Sequence, residues 1–410
     1  MGRPKEDSPM KITALETIRL GDFPNLLWLR VHTDQGIVGL GETFYAAETV
    51  DTYVHEVLAD KLLGADPLRI DKISRQISYD YPIGTASTGI EIRAASTVDI
   101  ALWDILGKLT GQPIHQLLGG LSRDRIRIYN TCAGYHYVRK VQAKIEDTFG
   151  LSRKSSGPYE DLDAFLNRAD DLAESLLSEG ITAMKIWPFD WAAHANGGLY
   201  ISAAELDKAI EPFSKIRKRV GRKIDIMVEL HSLWNLTTAK RIFAALEEFD
   251  PFWYEDPVKM TNLDAVEQLA RFTRVPVCAS ETLASRIVFK DLMARNAAGV
   301  IMPDLGWVGG ISEAKKIATM AEAHLLPVAP HDCTGPIVLI SSIHLALNAP
   351  NALIQETVRA YLATWYRDIV TVMPDIRDGY AYPMQGPGLG TELLPGLERR
   401  KDATVRWSKL

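Results

Sequence analysis

Three cysteines in 410 residues, Cys132, Cys278 and Cys333, are too few and too scattered for a disulfide framework or a zinc knuckle. All three are expected as reduced, buried thiols, which fits a cytoplasmic protein. Apolar runs are also short: none approaches the ~18 residues that a membrane span requires, although 47% of the chain is hydrophobic. Charge of one sign is not concentrated. The 46 basic and 52 acidic residues leave a net charge of −6 with no block of either kind, so neither nucleic acid nor a membrane is an expected partner. The first ten residues are charged and lead into strand-like alternation, with no apolar signal core, so no export signal is expected. Met1-Gly2 opens like a myristoylation signal, but Glu6 stands where that signal needs Ser or Thr.

What the chain does have is length and apolar content for a large core. At roughly 150 residues per domain, its length suggests two domains or one large barrel. Residues 11–20, 26–33 and 37–42 read as a three-stranded meander. In it Leu27, Leu29 and Val31 alternate with Trp28, Arg30 and His32, and Asp34-Gln35-Gly36 supplies a turn. Residues 92–109 then place Ala94, Val98, Leu102, Ile105 and Leu109 at helical steps, closed by Gly111 and Pro113. Strands followed by helices make residues 1–124 an α+β unit. From 125 to 375 short β-rich runs alternate with helix-length segments. The strand candidates are 126–130, 183–187, 224–230, 252–255, 275–280, 300–303, 327–329 and 353–356. Eight such units predict an α/β fold of the (β/α)₈ TIM-barrel type. Residues 376–410, rich in Gly, Pro and charge, do not extend it. Segments 139–158 and 190–198 read as long barrel loops, which tend to carry function.

Barrel active sites gather at the C-terminal ends of the strands. The residues at those ends are Lys185, Glu229 with His231, Glu255 with Asp256, Glu281, Asp304, His331 with Asp332, and Glu356. From Glu229 onward they recur every 23–27 residues, one βα unit each. Singly, each glutamate reads as a helix cap or a surface ion pair. Three converging carboxylates repel one another and resist desolvation unless a cation compensates them, so Glu229, Glu255 and Glu281 read as metal ligands. An all-oxygen set suits Mg²⁺, with Mn²⁺ the alternative. Asp304 beside His331 reads as a carboxylate–imidazole pair, which fixes the ring tautomer and raises the basicity of a general base. Lys185 reads as a cation that neutralises charge developing on a bound carboxylate. His231, two residues past Glu229, returns to the ligand's face. It reads as an acid beside the metal or as a histidine tied to the backbone. Glu356 reads as a hydrogen-bond donor to a substrate carboxylate if its pKa is raised, or as the ion-pair partner of Arg359.

Several motifs together resemble the enolase superfamily, specifically its mandelate racemase subgroup, over nearly the whole chain. They are Gly39-Leu40-Gly41-Glu42, Ala101-Leu102-Trp103-Asp104 with Gly107-Lys108-Leu109-Thr110-Gly111-Gln112-Pro113 after it, and Lys185. Further along come Trp253-Tyr254-Glu255-Asp256-Pro257, Ser280-Glu281-Thr282, Met302-Pro303-Asp304 and Pro330-His331. The resemblance implies a modified, enolase-type barrel at 125–375, an N-terminal capping domain at 1–124, and a segment 376–410 returning to the cap. It also implies Mg²⁺ on the three glutamates, a His331–Asp304 dyad, Glu356 against the substrate carboxylate, and a homo-oligomer acting on a small carboxylate. Two departures matter. Racemases of the subgroup carry Lys-x-Lys, with the second lysine a base on the opposite face, and Trp187 stands at that position here. The first ligand is Glu229, where the family commonly has Asp. In exchange, Glu229-Leu230-His231 is similar to the Asp-x-His of galactonate and mannonate dehydratases, where the histidine protonates the departing hydroxyl.

The expectation is therefore an acid-sugar dehydratase, a hydro-lyase. His331 removes the C2 proton of an aldonate, Lys185 and Glu356 help stabilise the enediolate, and His231 protonates the leaving 3-hydroxyl to give a 2-keto-3-deoxy acid. Substrate selectivity is expected from residues 23–25, Phe44 and Tyr45, together with Tyr135, His136 and Trp307. The rival readings are a racemase or epimerase of the same superfamily and a barrel that binds metal and ligand without turnover.

Overall fold

The computed structural model describes residues 9–78, 89–135, 137 and 160–410. The chain opens with β1 (Ile12–Leu20), β2 (Phe23–Thr33) and β3 (Val38–Phe44), an antiparallel meander turned at Gly36. Strand alternation splits its side chains between two cores. Leu27, Leu29 and Val31 pack on the helices of the cap, while Leu26 and Trp28 face the barrel. Trp28 is thus fully buried, although its neighbours on that face include Arg30 and His32.

The long helix Ile90–Thr110 lies on β3 and stops at Gly111 in the left-handed conformation. The two glycines of the Gly-Leu-Gly-Glu motif make that contact close. A Cβ at Gly41 would sit 1.9 Å from the Thr97 carbonyl oxygen, and one at Gly39 2.1 Å from that of Ala101. Asp104, from the same helix, ties three segments together: it accepts from the Leu40 and Leu389 N–H groups, each at 2.9 Å, and pairs with Lys108 at 2.7 Å.

The barrel strands are β4 (Ile126–Thr131), β5 (Ala183–Ile186), β6 (Asp225–Glu229), β7 (Trp253–Glu255), β8 (Val277–Ala279), β9 (Val300–Ile301) and β10 (Gln355–Thr357). They run parallel in sequence order, and β10 closes on β4. The seventh position is thinner than the expected strand 327–329. Val328 bridges Ile301 on one side and Ala352 on the other, and Pro327 contributes no N–H to a ladder. Tyr129, Ala183, Met227, Trp253, Cys278, Val300, Met302, Ala329 and Ile354 fill the barrel interior. The next inward positions toward the C-terminal ends carry the polar residues.

Two other expectations change. Residues 190–198 are not a loop: Asp190–Asn196 is helical and ends at Gly197, which adopts the left-handed conformation. The last segment first makes β11 (Ile376–Arg377) and β12 (Tyr380–Ala381), a hairpin whose second strand pairs with β4. It then ends in β13 (Ala403–Lys409), antiparallel to β1. Segment 139–158 lies outside the described residues. Among those described, no helix is long and apolar enough to cross a membrane.

Candidate active site

Inward alternation above the apolar plug sets the site. Glu229 and Glu255 are register partners on β6 and β7, Thr131 and Lys185 on β4 and β5, and Glu281 follows β8. One oxygen from each of Glu229, Glu255 and Glu281 lies within 4.8 Å of the others. Lys185 stands among the carboxylates, 2.8 Å from Glu356 Oε1 and 3.5 Å from Glu229 Oε2, and it also donates to Glu255 Oε1. Burial alone would strip its proton, but Glu255 and Glu356 keep the ammonium charged, well above its ordinary range.

Glu356 accepts from Thr131 Oγ1 and, at 2.9 Å, from the Asp332 N–H. Burial works against its charge, yet Lys185 and His331 hold it below its ordinary pKa. It therefore acts as an acceptor here, not as the proton-bearing donor considered from the sequence. Nor does it pair with Arg359, which instead bonds Asp161 and Glu179.

His331 completes that side of the site. Its Nδ1 lies 2.7 Å from Asp304 Oδ2 and its Nε2 2.7 Å from Glu281 Oε2. Asp304 Oδ1 is held by the Gly306 N–H at 2.7 Å. Burial would raise Glu281, but the adjacent His331 brings it down to about 2. The third and seventh positions of an eight-stranded barrel face each other, so His231, after β6, stands across the cavity from His331. Its Nδ1 is 2.7 Å from Asp190 Oδ2, and its N–H donates to Glu229 Oε1 at 2.6 Å. Burial opposes charge on the ring, and Asp190 and Glu229 overcome it, lifting the pKa to about 9.

The cavity between these groups holds about 210 Å³ and reaches Tyr45, Tyr137, Trp187, Trp307 and Cys333. Tyr45 arrives on the end of β3. That end is clamped to the barrel by the Glu42 carboxylate, which accepts from Ile337 N–H, Val338 N–H and Trp28 Nε1 at 2.7–3.0 Å. Trp307 donates to the Phe44 carbonyl at 3.0 Å and lies 5.4 Å, centroid to centroid, from the His331 ring.

Of the expected selectivity residues, Tyr45 and Trp307 line the cavity and His136 lies outside the described residues. Tyr135 does not line it, but Tyr137 does, two residues further along the same segment. Phe23 is packed against Trp365, ring centroids 4.9 Å apart. Cys333 is half-buried at the cavity, unlike the two buried cysteines. Sequence reasoning missed Asp190 and Arg93. The Arg93 guanidinium lies 4.4 Å from the Trp307 ring centroid and donates to the Phe44 carbonyl; burial lowers its pKa to about 10.

The donor set fits a hard divalent cation. Burial and the charge of Glu229 push Glu255 toward protonation, and burial with Glu229 and Glu281 does the same to Asp256. The carboxylates thus outnumber the cations that balance them. Glu229 Oε2 is buried and, with Lys185 Nζ no nearer than 3.5 Å, accepts no hydrogen bond among the described residues, as expected of a ligand atom.

The two halves of the chain match two family models. Residues 5–119 match the mandelate racemase / muconate lactonizing enzyme N-terminal domain, and residues 168–396 the enolase C-terminal domain-like family. The chain belongs to the enolase superfamily, with its N-terminal cap and C-terminal TIM barrel. It is 51% identical to an enolase of the mandelate racemase subgroup from Agrobacterium tumefaciens, whose crystal structure superposes with a TM-score of 0.86 over 97% of this chain and 99% of that one. An enolase protein from Sargasso Sea environmental sequencing is 43% identical, with a TM-score of 0.87 over 98% and 99%. The D-galactonate dehydratase of Pectobacterium atrosepticum is 34% identical over 96% of this chain and 95% of its own length. That of Ralstonia nicotianae is 31% identical over the same shares.

Proposed function

We propose that this enzyme, a hydro-lyase, dehydrates an acid sugar: it takes the proton α to the carboxylate, expels the 3-hydroxyl and yields a 2-keto-3-deoxy acid. The observation that carries the reading is one cavity with a three-glutamate cluster, the His331–Asp304 pair on one wall and His231 on the other. Its D-galactonate dehydratase relatives make D-galactonate the first substrate to try.

Glu229, Glu255 and Glu281 would hold Mg²⁺, or Mn²⁺ in its place. When bound, the cation supplies positive charge to the substrate carboxylate and so acidifies its α-proton. His331 would accept the C2 proton at Nε2 once Glu281, its partner there, holds the cation instead, while Asp304 fixes the ring through Nδ1. Lys185 balances negative charge that builds on the carboxylate as the C2–H electrons move into it, and Glu356 keeps Lys185 in place. His231 then gives a proton to the 3-oxygen as the C3–O bond breaks. Water leaves, and the enol formed between C2 and C3 ketonises. Tyr45 and Trp307 shape the pocket over the rest of the sugar. Trp187 stands without a titratable group where racemases of the subgroup carry their second base, and the group across from His331 is instead His231, placed to act as the acid. On this reading residues 1–124 and 376–410 serve as cap, 125–375 as barrel, and the enzyme works in the cytoplasm on a small carboxylate.

The test is a screen of the purified protein with Mg²⁺ against hexonates, pentonates and aldarates, with semicarbazide trapping 2-keto-3-deoxy products. Turnover of one or two related acids, abolished in His331→Asn, is the expected result. Deuterium entering C2 of recovered substrate in D₂O with no dehydration of any acid would instead assign an epimerase.

A further inference from the structure

Two histidine–carboxylate pairs face each other across the cavity, and the carboxylate of the second, Asp190, takes no part in the steps above. The second joins His231 to Asp190, with Nδ1 2.7 Å from Oδ2, the same distance that joins His331 to Asp304. Asp190 is buried to 1% exposure at the first turn of helix Asp190–Asn196, three residues past Trp187, and its other oxygen, Oδ1, meets no hydrogen-bond donor among the described residues. The desolvation cost of this buried carboxylate is offset chiefly by the His231 ring, which both bonds it and opposes its charge. His231 itself is held on three sides. Its backbone is in the left-handed region at φ 47°, its N–H is bonded to Glu229, and the Trp187 ring stands edge-on 5.7 Å away. Tyr137 and Phe165 brace Trp187 in turn, at 5.4 and 5.0 Å. With Nδ1 committed to Asp190, Nε2 is the ring atom that reaches a bound substrate.

We infer that Asp190 is the positioning residue for the elimination half of the reaction: it fixes the His231 ring so that Nε2 meets the departing 3-hydroxyl. Trp187 then has a role beyond filling space, as the wall against which the ring is held. This rests on the proposed dehydration for its consequence, and on the Asp190–His231 pair alone for its geometry.

The experiment has two arms, both on the Mg²⁺-loaded full chain. In the first, Asp190→Asn is assayed in D₂O with the acid that the wild type turns over. Dehydration kcat is expected to fall about 100-fold or more, with KM little changed. C2 deuterium exchange by His331 persists and becomes visible in recovered substrate. Parallel loss of exchange and elimination, or elimination within threefold of wild type, would overturn the assignment. The second arm needs no substrate. In ¹⁵N-histidine-labelled protein, with the His231 signals identified by their absence in His231→Gln, the wild type should carry a proton on Nδ1. Asp190→Asn should shift that signal. An unchanged His231 spectrum in Asp190→Asn refutes the pairing whether or not the wild type dehydrates sugars, so failure here and failure of the proposed function are separate results.

Discussion

Replacing Lys185 by Met keeps the stem and deletes the charge at the most crowded point of the site. The ammonium is buried, 2.8 Å from Glu356 and bonded to Glu255, with Glu229 at 3.5 Å. Its loss leaves at least two buried carboxylates without their nearest cation, a change that typically costs about 3–5 kcal/mol. At roughly 2.1 cal/mol/K per residue, unfolding of 410 residues carries an entropy near ~0.9 kcal/mol/K, so the apo variant should melt about 4–6 °C below the parent. Added Mg²⁺ should recover more of that difference in the variant than it adds to the parent, because a cation on the glutamates now relieves repulsion that Lys185 formerly relieved. Turnover should not recover: losing one preorganised charge against the developing anion costs about 100- to 1,000-fold in kcat. The assay is a melt with and without Mg²⁺ beside steady-state kinetics; Mg²⁺ at about 100 times its dissociation constant, taken from titration, is worth about 2.7 kcal/mol. An unchanged melting temperature, or kcat within threefold of wild type, would refute the reasoning.

Three further outcomes are expected. EDTA should lower the melting temperature of the wild type and Mg²⁺ restore it; Glu229→Gln should lose this response and His331→Asn keep it, which isothermal titration of Mg²⁺ can confirm. Glu42→Gln should cost about 1–3 kcal/mol, because its amide NH₂ would face the Trp28 indole N–H. It should also raise KM, since Tyr45 lies three residues on from the clamp; melting and initial rates read both. His344 is buried, accepts from His115 and has its pKa lowered to about 3 by that burial. Its folded pKa lies below its unfolded value of about 6.5. Its stabilising share is therefore whole above pH 6.5 and is lost as pH falls toward 3, by up to about 4–5 kcal/mol. Urea midpoints across that window should fall less steeply in His344→Gln, and equal slopes would remove His344 from the account.

The barrel was legible because its signals are local. An apolar run with a polar residue at its end repeats with the length of one βα unit, and strand alternation turns that residue inward. Glu229, Glu255, Glu281, Asp304, His331 and Glu356 all occupy strand ends for that reason. The seventh strand was overread because Val328 and Ala329 look β-rich while Pro327 removes a ladder donor. What was not legible depends on contacts between distant segments. Asp190 sits among Trp, Ala, His, Asn and Gly residues that resemble a loop, and nothing in that stretch points to His231, 41 residues on. Arg93 lies on a cap helix and reaches the cavity wall only because Gly39 and Gly41 let that helix approach β3. Glu356 and Arg359 are three residues apart, yet the first points into the barrel and the second outward to Asp161, so proximity in sequence misled.

The pairing of β13 with β1 has a bearing on biosynthesis. Residues 403–409 zip against residues 14–20, so during synthesis β1 has one edge without its partner until residues 403–409 follow. At about 5–20 residues per second, that interval lasts roughly 20–80 s. Through it an apolar strand edge, a ready template for intermolecular pairing, stays open to solvent or to a chaperone. The cap that carries Tyr45 to the cavity is therefore completed only once residues 403–409 have been made and released from the ribosome tunnel. Removing a few C-terminal residues should accordingly show itself first as aggregation of newly made chains, and only then as lost activity.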